Sequence, residues 1–267
     1  MSYNSNVKSM TVAALACIIA LLICFLPVNA TSQCVDDMGA GDMDCDGFPD
    51  SLESSGYVTP MNSSTPYSVD LNIADLFVIV VQNSPSMIPA NHFDLYTRSQ
   101  ADGGMGINII EIGVAEAGPD REITATQKAA KITESLNSAS GFLGWCPQGT
   151  VNGNDDCVVY TQRVVNSIDR ICGARFGTND CVGPSGEIGP DLIDLYIKWV
   201  MVHELGHTTT LSASFNKKIG NHYATGSGKV MDQGVSYTDK RGKVTFQIPQ
   251  SFSAESQASF DSWSDVH

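Results

Sequence analysis

Positive charge is scarce in this chain: 15 lysines and arginines stand against 29 acids, a formal net charge of −14 over 267 residues. Such a surface repels phosphate backbones and anionic headgroups, so nucleic acid and anionic lipid are poor partners. Histidine is scarce too, with five in all. No Cys-x-x-Cys pair occurs, which argues against a cysteine-bound structural zinc. There is no internal repeat and no long low-complexity tract.

The long unbroken apolar run, "TVAALACIIALLICFL", is N-terminal, follows Lys8 and is broken by Pro27. The small-x-small "VNA" then ends at Ala30, which reads as a secretory signal over residues 1–30. The run is close to the shortest that crosses a bilayer, so an uncleaved segment would be a membrane anchor instead. Cleavage leaves 267 minus 30, or 237 residues, enough for one substantial core. It removes one lysine and no acid, so the charge becomes 14 minus 29, or −15.

Of eight cysteines, two leave with the signal, and Cys34, Cys45, Cys146, Cys157, Cys172 and Cys181 remain. An even number in an exported chain points to disulfides, although six cysteines allow fifteen pairings. Pairing of sequence neighbours (34 with 45, 146 with 157, 172 with 181) would close three Gly/Asp-rich loops.

Residues 31–70 are rich in Asp, Ser, Gly and Pro and read as a loop-like acidic segment, with a separate domain over 71–267. In that domain "LFVIVVQ" and "INIIEIGVA" read as strands. "TATQKAAKITESLN" reads as a helix, because Thr124 and Gln127 form a capping-box pattern and Ala125, Ala129, Ile132 and Leu136 share one helical face. "VVYTQRVVNSIDRIC" gives a second helix with Tyr160, Val164, Ile168 and Ile171 on one stripe. A third starts at Pro190-Asp191 and runs, apolar nearly all round, to His207. "VTFQI" is a late strand. The fold class expected is α+β, a mixed sheet with two or three helices ahead of the buried one and an irregular C-terminal portion.

That buried helix ends in His203-Glu204-Leu205-Gly206-His207. Histidines four apart on a helix can face one ion, and the residue after the first lies about 100° round, beside the metal. Glu204 there can take a proton from a water whose pKa zinc lowers towards roughly 7, and hand it to a leaving amine. Burying two histidines and a glutamate without such a task is costly.

Two histidines need a third protein ligand. The region resembles the metzincin clan of zinc peptidases, whose motif continues HExxHxxGxxH. Here Thr210 stands at the glycine position and Ala213 at the third histidine. A thermolysin-like glutamate is also lacking: none occurs between Glu204 and Glu255. His222 remains, fifteen residues past His207, with Met231 nine further on, and Gly226 and Gly228 between them. The spacing is similar to the leishmanolysin-like branch, which places extra chain before its third histidine. The resemblance implies zinc on His203, His207 and His222, Glu204 as base and Met231 as the turn methionine under the metal. It further implies a cleft crossing the zinc and protein or peptide substrates. Two other readings of the residues stay open: Asp232 or another carboxylate as third ligand, and Met231 as core filling.

A second cluster lies in "DMDCDGFPDSLE". Asp42, Asp44, Asp46, Asp50 and Glu53 occupy positions 1, 3, 5, 9 and 12 of a calcium loop, with Gly47 at position 6 and the carbonyl of Phe48 at position 7. The segment resembles the calcium loops of thrombospondin type 3 and dockerin-like modules. The sequence thus implies a secreted zinc endopeptidase with structural calcium. A calcium-dependent binding module on an inactive peptidase scaffold, or a zinc hydrolase of non-peptide substrates, is the alternative. Glu204 favours the enzyme, since a binding module needs no general base.

Overall fold

The structure is a computed structural model. It describes residues 41, 44, 46, 48–125, 127–146, 156–207, 228, 230–231 and 234–259. These belong to one unit, Cys34–His267. The signal segment, Asp42, His222, Asp232 and the Cys34–Cys45 pair lie outside the described residues.

In chain order the elements are α1 (Asp50–Glu53), β1 (Tyr57–Val58), β2 (Tyr67–Ser68), β3 (Asp75–Val81), α2 (Asp94–Thr97), β4 (Asn108–Ile112), β5 (Ala130–Ser135), β6 (Gly144–Trp145), β7 (Asp156–Tyr160), α3 (Thr161–Cys172), β8 (Cys181–Val182), α4 (Gly189–His207), β9 (Ser236–Lys240), β10 (Lys243–Gln247) and α5 (Ala254–Ser259). The class is α+β. The main sheet runs β4-β3-β5-β7-β6, with four parallel strands and β6 antiparallel at one edge. A smaller sheet, β8-β10-β9, pairs the late "VTFQI" strand in parallel with β8 and antiparallel with β9.

β3 shows why its sequence is an unbroken apolar run: both of its faces are covered. Leu76 and Val78 join the core that contains α3 and α4, whereas Phe77 and Ile79 join a second cluster with Phe48, Val58, Val69, Ile110 and Ile112. The acidic segment is therefore no loose appendage in its described part. Phe48 is fully buried, its ring edge-on to Phe77 at 5.5 Å.

The helix expected over 124–137 is a strand instead. Thr124 Oγ1 does accept from Gln127 N at 3.0 Å, but in a turn, and the chain then extends as β5. Ala130, Ile132 and Glu134 face inward and Lys131, Thr133 and Ser135 are half-buried, the period of two that a strand requires. Its parallel neighbours β3 and β7 supply the hydrogen bonds a helix would have made internally. The second helix starts later than expected, because Asp156–Tyr160 pairs with β5 as β7 and only Thr161–Cys172 coils. Val164 and Ile168 are its buried stripe.

Two disulfides, Cys146–Cys157 and Cys172–Cys181, join sequence neighbours and fit an oxidising compartment. Among the described residues no helix is long and apolar enough to cross a membrane.

At the end of β5 the buried Glu134 carboxylate accepts from Asn83 N (2.9 Å), Met87 N (2.8 Å), Ser86 Oγ (2.9 Å) and Thr161 Oγ1 (3.0 Å). It ties the segment after β3 to the start of α3. Glu134→Ala strands those four donors and should lower stability by roughly 3 kcal/mol in urea unfolding. A loss under about 1 kcal/mol would remove Glu134 from that anchoring role.

Candidate functional site

α4 is buried from Tyr196 to His207 except at Lys198, and its apolar residues fill the main core. Its polar end sits in that setting. His203 and Glu204 are each 5 % exposed and His207 9 %. The Nε2 atoms of His203 and His207 face each other at 3.2 Å. Two nitrogens sharing one tetrahedral zinc, with bonds near 2.0–2.1 Å, stand about 3.3 Å apart, so the pair fits that ion.

The other nitrogen of His203 is committed. Nδ1 lies 2.9 Å from the Val230 carbonyl oxygen, and only a protonated Nδ1 can donate to it. Nε2 of His203 is thereby left as the lone-pair atom, the form that ligates metal. His92 is engaged elsewhere, between the Pro89 carbonyl at 2.9 Å and Glu111 at 3.3 Å.

Burial pushes the Glu204 carboxyl up to about 8. Its carboxylate lies against Gly144 of the edge strand β6, so close that a Cβ at residue 144 would clash with Oε1. Behind it, the sulfurs of the Cys146–Cys157 bridge contact the Glu204 carbonyl oxygen at 3.1 and 3.4 Å. Strand β6, its disulfide and Glu204 thus form one packed unit.

Met231 is fully buried beneath the helix. A Cβ on Gly206 would lie 2.5 Å from Met231 Sδ and 3.4 Å from the Tyr96 hydroxyl, so only glycine permits this approach. Tyr96 Oη also donates to the Val202 carbonyl at 3.2 Å, bracing the same turn of α4.

On the other face of the main sheet, Asp44, Asp46 and Glu53 present oxygens within 4.8 Å of one another. Asp50 opens α1 with its carboxylate towards Gly41, and Phe48 has its side chain in the core. Asp46 Oδ1 accepts from Phe48 N at 2.7 Å and Oδ2 from Asp75 N at 2.8 Å, while Gln127 Nε2 donates to the Asp46 carbonyl at 2.7 Å. Burial, then the charges of Asp44 and, less, Glu53, raise the Asp46 carboxyl to about 9 against the lowering by those N–H groups. Three carboxylates gathered at such depth suit a hard cation held by oxygen.

Sequence reasoning missed Gly144, Tyr96, Trp199 and Gln127. Trp199 alone carried a local signal, standing one turn before His203 on the same helical stripe. The others reach their sites from distant elements: Tyr96 from α2, Gly144 from β6 and Gln127 from the turn before β5.

Comparison of this chain with protein-family models, curated proteins and solved structures finds no match.

The Gly206–Met231 contact makes a specific demand on stability. Gly206→Ala should cost about 1–3 kcal/mol by overpacking, and most of that cost should vanish in a Met231→Ala background. Urea unfolding of the four proteins measures this. Additive costs would mean the sulfur does not limit residue 206.

Proposed function

We propose that this chain is a secreted zinc-dependent endopeptidase of metzincin-like type, with a structural calcium loop. The observation that carries the reading is the meeting of two Nε2 atoms at 3.2 Å on a buried helix, with Glu204 between them in sequence. His203 and His207 would hold the zinc, with His222 as third ligand.

When bound, zinc supplies Lewis acidity, lowering the pKa of a water and polarising a carbonyl. Glu204 is the base: it accepts the proton of the attacking water on its carboxylate and passes it to the departing amine. A cation beside it favours the ionised form and so works against the upward push of burial. Gly144 leaves that carboxylate room, and the disulfide against the Glu204 carbonyl limits its backbone movement.

A peptide suits this site better than a small ester. β6 is the last strand of its sheet among the described residues, and its backbone passes beside Glu204. An extended chain added along that edge would make main-chain hydrogen bonds to β6 and bring its own carbonyls alongside the glutamate. The two disulfides suit an exported enzyme.

The mature chain should hydrolyse casein, and o-phenanthroline should stop it. Glu204→Ala should keep its zinc yet lose roughly 10²–10⁴-fold in kcat, while His222→Ala should lose zinc affinity. Casein cleavage by wild type no faster than by Glu204→Ala rules out the enzyme reading. Unchanged zinc affinity in His222→Ala moves the third ligand elsewhere.

Calcium would offset most of the charge of Asp44, Asp46 and Glu53 and pin the loop to the start of β3. At about 100 times its Kd, calcium added to zinc-saturated protein should stabilise by about 2.7 kcal/mol, several degrees in Tm. Magnesium should do less, and Glu53→Gln should abolish the gain. An equal Tm with and without calcium would dismiss the ion.

A further inference from the structure

We propose that Trp199 is a positioning residue of the metal centre, acting through the carbonyl of Val230. That oxygen accepts two ring N–H groups at once: Trp199 Nε1 at 3.1 Å and His203 Nδ1 at 2.9 Å. The proposal rests on the zinc reading above and names a residue that the histidine motif does not contain.

Trp199 and His203 are four apart on α4, so their side chains stack on one face, with ring centroids 5.1 Å apart. A peptide carbonyl has two lone pairs and serves both donors without competition. All three residues are shielded from water: Trp199 and His203 are each 5 % exposed and Val230 is fully buried. In such surroundings a hydrogen bond has no water to replace it, so losing one is felt.

Val230 lies in a turn, not in a helix or strand, so no ladder fixes the direction of its carbonyl. Its N–H is held by the Ser251 carbonyl at 3.1 Å, and the next residue, Met231, is wedged under Gly206. The indole N–H, projected from a rigid helix, fixes the remaining degree of freedom. With the carbonyl aimed, His203 keeps its proton on Nδ1 and its Nε2 lone pair towards His207. In the absence of metal His207 Nε2 is then the donor of the 3.2 Å contact.

The alternative role for Trp199 is packing alone, since its ring also meets Tyr196 at 5.8 Å. Trp199→Phe separates the two: it keeps an aromatic ring and deletes the N–H. In metal-free protein, ¹⁵N chemical shifts of His203 at a pH where imidazole is neutral should report the Nδ1–H tautomer in wild type and a mixture of both in Trp199→Phe. Zinc affinity from chelator competition should fall roughly 10- to 100-fold. The same fall is expected when Trp199 carries benzothiophene in place of indole, a sulfur isostere that preserves shape and decides the matter if Trp199→Phe does not fold. Wild-type tautomer and wild-type zinc affinity in the isostere would overturn the proposal. Wild type that takes up no zinc would instead defeat the zinc reading, and the tautomer measured without metal still decides the role of Trp199.

Discussion

Two imidazoles and a carboxylate sit at the buried end of a helix that is otherwise apolar, and the rest of the structure answers to that burial. Polar atoms withdrawn from water are costly unless something meets them. Here the Val230 carbonyl accepts a hydrogen bond from His203 Nδ1–H, the two Nε2 atoms turn to one another, and strand β6 closes over Glu204 with a glycine where a side chain would collide. The apolar length of α4 serves the same end. Leu192, Ile197, Val200, Met201 and Leu205 fix the helix in the core so that its last turn cannot rotate away.

The legible parts of the fold were those whose signal is local. α4 could be read because a proline-acid start and a long apolar stretch need no partner to be recognised. β3 could be read because a strand covered on both faces is apolar throughout. Residues 124–137 misled for a physical reason: Ala129, Ile132 and Leu136 satisfy a helical period, and Ala130, Ile132 and Glu134 satisfy a strand period, in the same few residues. The choice was made by β3 and β7 on either side, and no local pattern records them. Leu136, exposed in the structure, would have been the seam of that helix.

The candidate site divides in the same way. His203, Glu204 and His207 are legible because a helix brings residues four apart together. The acidic loop is legible because its spacing is written within twelve residues. Gly144 approaches Glu204 from an edge strand sixty residues upstream, and its meaning exists only once β6 is docked. Gln127 likewise joins Asp46 from 81 residues downstream. Contacts of that kind depend on tertiary pairing, so single-sequence reasoning finds the ligands of a centre before it finds what aims them.

The two clusters share a wall, and the wall determines how they can influence each other. Along β3, Leu76 and Val78 face the core of α4, while Phe77 and Ile79 face Phe48 and the acidic loop. Asp75, at the start of the strand, donates its N–H to Asp46. Between the carboxylates and the histidines therefore lie close-packed apolar side chains of the main sheet. Such packing transmits rigidity and offers no polar group to relay a proton. A cation at Asp44, Asp46 and Glu53 would accordingly act on how firmly the sheet is held, and so on the lifetime of the folded chain. The carboxyl of Glu204 answers instead to its own burial, which raises it.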